Sequence, residues 1–162
     1  MGKLTHFNGS GRAAMVDVSK KKSSERIAIA TGRVCMKSAT LKRIQENNIS
    51  KGDVITVARV AGIMAAKRVD GLIPLCHTLM LSEVAIDIAP QDKGSYLEIT
   101  CAVKSTGKTG VEMEALVGVS VAALTVYDMC KAIDRGMVLS EIQLMEKKGG
   151  RSGHFKRKDG KR

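Results

Sequence analysis

The stretch "EVAIDIAPQDKGSYLEITCAVK", Glu83–Lys104, decides the fold. In its first half Val84, Ile86 and Ile88 alternate with Ala85 and Asp87, the two-residue period of a strand with one buried face. In its second half Leu97, Ile99, Cys101 and Val103 repeat the pattern. Between them "PQDKGS" supplies proline, aspartate and glycine, the residues of a turn. Two alternating runs joined by a turn predict an antiparallel hairpin.

Upstream, "RIAIATGRVCM" from Arg26 alternates in the same way and predicts another strand. "SATLKRIQENN" follows, with Ser38 placed to cap a short helix whose Leu41 and Ile44 share a face. Asp53 then caps "VITVARVAGIMAAKRV", where Val54, Val57, Ala58, Ala61 and Ala65 recur at helical spacing and Gly71 is the expected stop. Downstream of the hairpin, "VEMEALVGVSVAALTVYDMCKAI" predicts a helix of about six turns. "SEIQLME" predicts a last short strand. The order strand, helix, helix, hairpin, helix, strand predicts an α+β fold, one antiparallel sheet with helices packed on one face. It follows the ferredoxin-like βαββαβ plan with an added helix. The expected organisation is an N-terminal arm over 1–24, one catalytic α+β domain over 25–146, and a basic, glycine-containing C-terminal tail over 147–162.

A chain of 162 residues has enough core to need no disulfide or metal. The four cysteines, Cys35, Cys76, Cys101 and Cys130, form no CxxC pair and no zinc-like spacing, so reduced thiols and no metal are expected. No secretory h-region is visible, and the apolar "ALVGVSVAALTVY" between Glu114 and Asp128 is too short to span a bilayer. A soluble, cytoplasmic protein without a membrane partner is expected. The net charge is +11, and the tail alone carries eight Lys or Arg against one Asp. That density points to an anionic ligand, with a solvated and disordered end as the plain alternative. Nucleic acid is the weaker reading, since Phe7, Tyr96, Tyr127 and Phe155 are the only aromatic residues.

"STGKTG", 105–110, lies between strand and helix but is no Walker loop, because the required first glycine is Ala102. It reads equally as a plain loop or as a backbone anion site. In the long helix Glu112 and Glu114 suit the N-terminal end of the macrodipole and Lys131 suits the other end. Asp128 opposes the dipole and shares a face with Lys131, an arrangement open to a structural ion pair or an acid–base pair. Lys51 taken alone reads as a solvated loop lysine, and His77 in "GLIPLCHTLM" as a partly buried histidine with a hydrogen-bond partner.

Taken together, "LTHFNGSGRAAMVDVS", "KGDV", "ARVAGIMAAKR", "LIPLCH", "TGKTGVEMEAL", "AALTVYDMCKA" and "GGRSGHFK" resemble, in order and over nearly the whole chain, the cyclic pyranopterin monophosphate synthase family of molybdenum-cofactor biosynthesis. The resemblance implies a lyase. Its substrate is a cyclised 7,8-dihydro-GTP with ribose C3′ bonded to purine C8, and its products are cyclic pyranopterin monophosphate and diphosphate. It implies Asp128, Lys131 and Lys51 as catalytic residues. It implies Leu75, Cys76, His77, Glu112, Met113, Glu114 and Arg26 as substrate-binding residues. It calls for no cofactor; Mg²⁺ travelling with the triphosphate is compatible with the sequence but not required by it. The implied partners are the nucleotide-derived substrate and further copies of the chain, in a homohexamer built as a trimer of dimers. A nucleic-acid-binding or non-catalytic nucleotide-binding module is the alternative from another class.

Overall fold

The computed structural model describes residues 11–158. The chain runs β1 (Ser24–Cys35), α1 (Ser38–Gln45), α2 (Val54–Ala66), a single 3-10 turn (Val69–Gly71), β2 (Leu81–Gln91), β3 (Tyr96–Gly107), α3 (Glu112–Cys130), β4 (Val138–Lys148) and β5 (Phe155–Lys156). The sheet order is β2-β3-β1-β4-β5, and every neighbouring pair is antiparallel. The first four strands give the expected ferredoxin-like plan, α1 is the added helix, and β5 extends the sheet. The hairpin pairs Val84 with Val103 and Gln91 with Tyr96. Pro90 sits within β2 because β2 is the edge strand, where a missing N–H breaks no ladder.

The inward residues Val34, Leu97, Ile99, Cys101 and Val103 are fully buried under Ala115, Val119, Ala122, Ala123 and Val126 of α3. Each large aliphatic side chain so buried contributes about 1.5–3 kcal/mol. α3 is apolar and long enough to cross a bilayer by composition, yet half of it is buried within the molecule. It is a core helix. α2 crosses it closely: a methyl group at Gly62 would lie 2.7 Å from the carbonyl oxygen of Gly118.

Several local expectations are corrected. Ser38 is the first residue of α1 rather than its cap, which is Lys37. The capping acceptor comes from far along the chain: the buried Asp134 accepts from Lys37 N at 2.9 Å and from Thr40 Oγ1 at 3.1 Å. Asp53 does cap α2, accepting from Thr56 N at 3.0 Å. The buried stripe of α2 is Val54, Ala58, Gly62 and Ala66, while Val57 is exposed; the helix stops at Ala66, before Gly71. The close crossing selects small residues for the inner face, and that turns Val57 outward. α3 ends at Cys130, shorter than expected; the chain then tightens into a turn, with Ile133 N bonded to Cys130 O at 3.0 Å.

The last strand is longer than "SEIQLME" and crosses the expected tail boundary. Lys147 and Lys148 belong to β4, Phe155 and Lys156 form β5, and Arg157 N bonds Met145 O at 2.7 Å. The reading of 147–162 as a disordered end therefore fails for 147–157. Residues 159–162 lie outside the described residues, as do 1–10 of the arm. The described part of the arm is tied down: His77 Nε2 donates to Val16 O at 2.8 Å, and Lys108 Nζ donates to Ser19 O at 2.8 Å.

Candidate functional site

α3 carries charged side chains at its two ends and none between. At its last turn Asp128 stands in solvent between two ammonium groups. Lys131 Nζ donates to Asp128 Oδ1 at 2.7 Å, and Lys51 Nζ donates to Oδ2 at 3.1 Å and to the Asp128 carbonyl at 2.8 Å. The helix itself brings Lys131 alongside, three residues on. Lys51 arrives on the loop after α1, which Ile49 anchors in the core. The bonds from Lys131 and then Lys51 hold the Asp128 carboxyl below the usual carboxylate range, and the same contact raises Lys131. An ionised carboxylate with two ammonium donors can accept a proton and return one through its neighbours.

At the first turn the pressures reverse. Glu114 is 4% exposed, and its carboxyl is pushed up to about 6, chiefly by burial, with Glu112 and Asp70 adding repulsion. Cys76 is raised by burial and by the Glu114 charge, which places the "LIPLCH" loop beside this end of α3. Leu75, Cys76, His77 and Met113 are all half-buried. Pro74 lies in the irregular segment before β2, where it interrupts no ladder.

Next to Glu112 opens a cleft of about 770 Å³. Eight Lys or Arg side chains line it against one acid, Glu112. Arg26 enters from β1, its Nε bonded to Gly107 O at 3.2 Å. Lys108 and Gly110 come from the loop before α3, and Arg151 from the β4–β5 loop. Lys147 Nζ donates to Glu112 Oε1 at 2.9 Å and to Ser152 Oγ at 2.8 Å. A register shift in β4 aims Lys147 this way. Ala30 pairs with Leu144 and Ile29 with Glu146, so one extra residue, Met145, lets Lys147 oppose the buried Ala28 and face the helices. Such a cleft suits a polyanion of small-molecule size.

Residues 15–150 match the model of the MoaC family. The chain belongs to the MoaC family. A protein of Magnetococcus marinus named cyclic pyranopterin monophosphate synthase is 57% identical over 157 residues, covering 97% of this chain and 96% of its own. A protein of the same name from Heliobacterium modesticaldum is 57% identical over 159 residues, covering 98% of this chain and 100% of its own. Another, from Desulfitobacterium hafniense, is 58% identical over 156 residues, covering 96% and 95%.

In this MoaC chain the ten sequence-predicted site residues fall into two groups. Arg26, Glu112, Met113, Glu114 and the Leu75–His77 loop gather at the first turn of α3, and Lys51, Asp128 and Lys131 gather at the last. Glu114 and Asp128 are fourteen residues apart on α3, roughly 21 Å along its axis. Sequence reasoning placed Lys147 and Arg151 in a tail and missed them as individual cleft residues. The basic density of 147–162 was the signal for them, but the bulge that aims Lys147 has no mark in the sequence. Among the described residues no three His, Cys, Asp or Glu side chains gather as a metal site would require.

Proposed function

We propose that the chain converts cyclised 7,8-dihydro-GTP to cyclic pyranopterin monophosphate with release of diphosphate, in molybdenum-cofactor biosynthesis in the cytoplasm. The observation that carries this reading is an ionised Asp128 gripped by two lysines in a chain whose relatives, over nearly its full length, are named for that product. The change is a rearrangement with loss of diphosphate. It moves protons and a phosphoryl linkage and has no need of a redox cofactor; Mg²⁺ would enter only with the triphosphate.

Asp128 takes the central proton-transfer role, with Lys131 and Lys51 as its donors and relays. Glu112 and Glu114 accept from the N–H groups of the pyrimidine edge. A carboxyl poised at about 6 is suited to both accepting and donating there. Leu75, Cys76 and Met113 pack against the ring, and His77 bonds or shuttles a proton. The triphosphate lies in the cationic cleft, where Arg26, Lys147 and Arg151 stabilise the charge that develops as diphosphate leaves.

These roles need both ends of α3 in one site, and about 21 Å is too far for one nucleotide within one chain. A two-fold pair of chains resolves this, because a self-complementary contact lays the first turn of one α3 beside the last turn of the other. Supporting this, Val57, Val60 and Met64 of α2 and Leu124 of α3 are 44–57% exposed, more apolar surface than a lone chain needs. Three such dimers make the proposed hexamer.

The test supplies the cyclised dihydro-GTP and follows diphosphate by phosphorus NMR and the pterin by fluorescence after oxidation. Equal amounts of both products are expected. A substrate that binds and is recovered unchanged would replace the enzyme with a nucleotide-binding regulator.

A further inference from the structure

Residues 149–153 join β4 to β5 and form one wall of the cationic cleft. Two contacts hold this loop, and they lie on opposite faces of the sheet. On the inner face Ser152 accepts from Lys147 Nζ. On the outer face His154 Nε2 donates to Glu146 Oε1 at 2.8 Å, and Lys148 Nζ reaches the same oxygen at 2.8 Å. The split follows from the register. Lys147 opposes the buried Ala28, Glu146 opposes Ile29, and successive residues of a strand point to opposite faces. Neither Glu146 nor His154 lines the cleft.

The loop needs such holding. β5 has two residues and pairs only with Glu146 and Lys147, so its ladder is minimal. Arg26, Lys147, Lys148 and Arg151 line the one cleft, and their like charges repel. Glu112 offsets that repulsion on the inner face and Glu146 on the outer. The loop also lies directly on Arg26: Gly149 and Gly150 have φ of +95° and +78°, and a side chain on either would strike the Glu25 carbonyl or the Arg26 guanidinium. The Glu146 side chain is 16% exposed, a fixed post between β1 and β5.

We infer that His154, bonded to Glu146, is a positioning residue that holds the 149–153 loop against Arg26, so that Lys147 and Arg151 converge on the departing diphosphate. The inference rests on the placement of the triphosphate in the cleft proposed above. His154 does not line the cleft, so it acts through its neighbours: the loop it adjoins, and Glu146, whose other partner Lys148 does line the cleft. It acts on the binding of the phosphate end and leaves the proton chemistry at Asp128 unchanged.

The test compares wild type, His154→Ala, His154→Gln and Lys147→Ala, all as full-length chains. It measures the inhibition constant of inorganic diphosphate, KM and kcat, and the rate of tryptic cleavage after Arg151. In His154→Ala the diphosphate inhibition constant and KM should rise about fivefold, the size of one modest exposed contact. kcat should stay within about twofold and Arg151 should be cut faster. His154→Gln, which restores an N–H donor, should return both measures toward wild type. Wild-type diphosphate inhibition in His154→Ala, whether or not Arg151 is cut faster, overturns the inference while the cleft assignment stands, provided Lys147→Ala weakens inhibition. Unchanged inhibition in Lys147→Ala removes the phosphates from the cleft and overturns the inference along with that placement.

Discussion

At the first turn of α3 Glu114 is buried and its carboxyl is pushed up to about 6, whereas at the last turn Asp128 stands in solvent with its carboxyl held down by Lys131 and Lys51. One helix thus carries two carboxylates tuned in opposite directions, one by loss of water and one by gain of cations. Divergent tuning of this kind lets one site hold an acid and a base at the same pH. It also separates stability from chemistry. The exposed end contributes little to folding, because surface ion pairs are worth about 0–1 kcal/mol. The buried end has a folding cost of its own, since an ionised Glu114 lacks water. Between them the apolar middle of α3 sets a separation of roughly 21 Å, the distance on which the proposed two-chain site rests.

The contrast can be broken most strongly at Asp128. Asp128→Asn keeps the shape and removes the charge, so turnover in the diphosphate assay should fall by about 10²–10⁴-fold. The melting temperature should stay close to wild type, since only exposed contacts change. Normal turnover in that variant would return the Lys51–Asp128–Lys131 cluster to a surface ion-pair network.

The spacing between the ends can be disturbed at the helix crossing. Gly62→Ala drives a methyl group toward the Gly118 carbonyl and Ile86, and overpacking of this kind costs about 1–3 kcal/mol. Urea titration should show an earlier midpoint with the same slope. An unchanged midpoint would mean that α2 and α3 separate freely.

The buried end is sharpened by Glu114→Gln. The folded-state pKa of Glu114 lies above its ordinary 4.5, so the folded chain holds the proton more tightly than the unfolded one. The stabilisation is fully present below pH 4.5, declines as pH rises from 4.5 to about 6, and is gone above that, a loss of about 2 kcal/mol. Glu114→Gln should remove that decline and be more stable than wild type above pH 6, while losing affinity for the substrate. Parallel stability curves for the two proteins across this window would contradict a raised Glu114.

The sequence made the hairpin legible because alternation and turn chemistry agree over Glu83–Lys104, and the Asp53 cap because its partner, Thr56, is local. The Asp128–Lys131 contact was legible from three-residue spacing on a helix. Contacts that cross the chain were not. Asp134 caps α1 from 97 residues beyond Lys37, and nothing near Ser38 announces it. Lys51 reached Asp128 only through the family resemblance, as its own loop reads like any solvated turn. In β4 the extra residue at Met145 reverses the alternation, so Lys147 faces the helices where the uninterrupted pattern would turn it away. Val57 was misplaced because helical spacing alone does not say which stripe of an all-round apolar helix meets the core, and the close crossing at Gly62 chose the stripe of small residues.

Subunit mixing decides whether the two ends of α3 serve one site drawn from two chains, as proposed above. Glu114→Ala and Asp128→Ala variants, each inactive alone, are unfolded together and refolded. Random pairing makes about half of the dimers mixed, and each mixed dimer has one doubly damaged site and one intact site. A site shared between two chains gives recovery of roughly a quarter of wild-type activity by that symmetry. No recovery, with exchange of subunits confirmed by mass spectrometry, would contradict it.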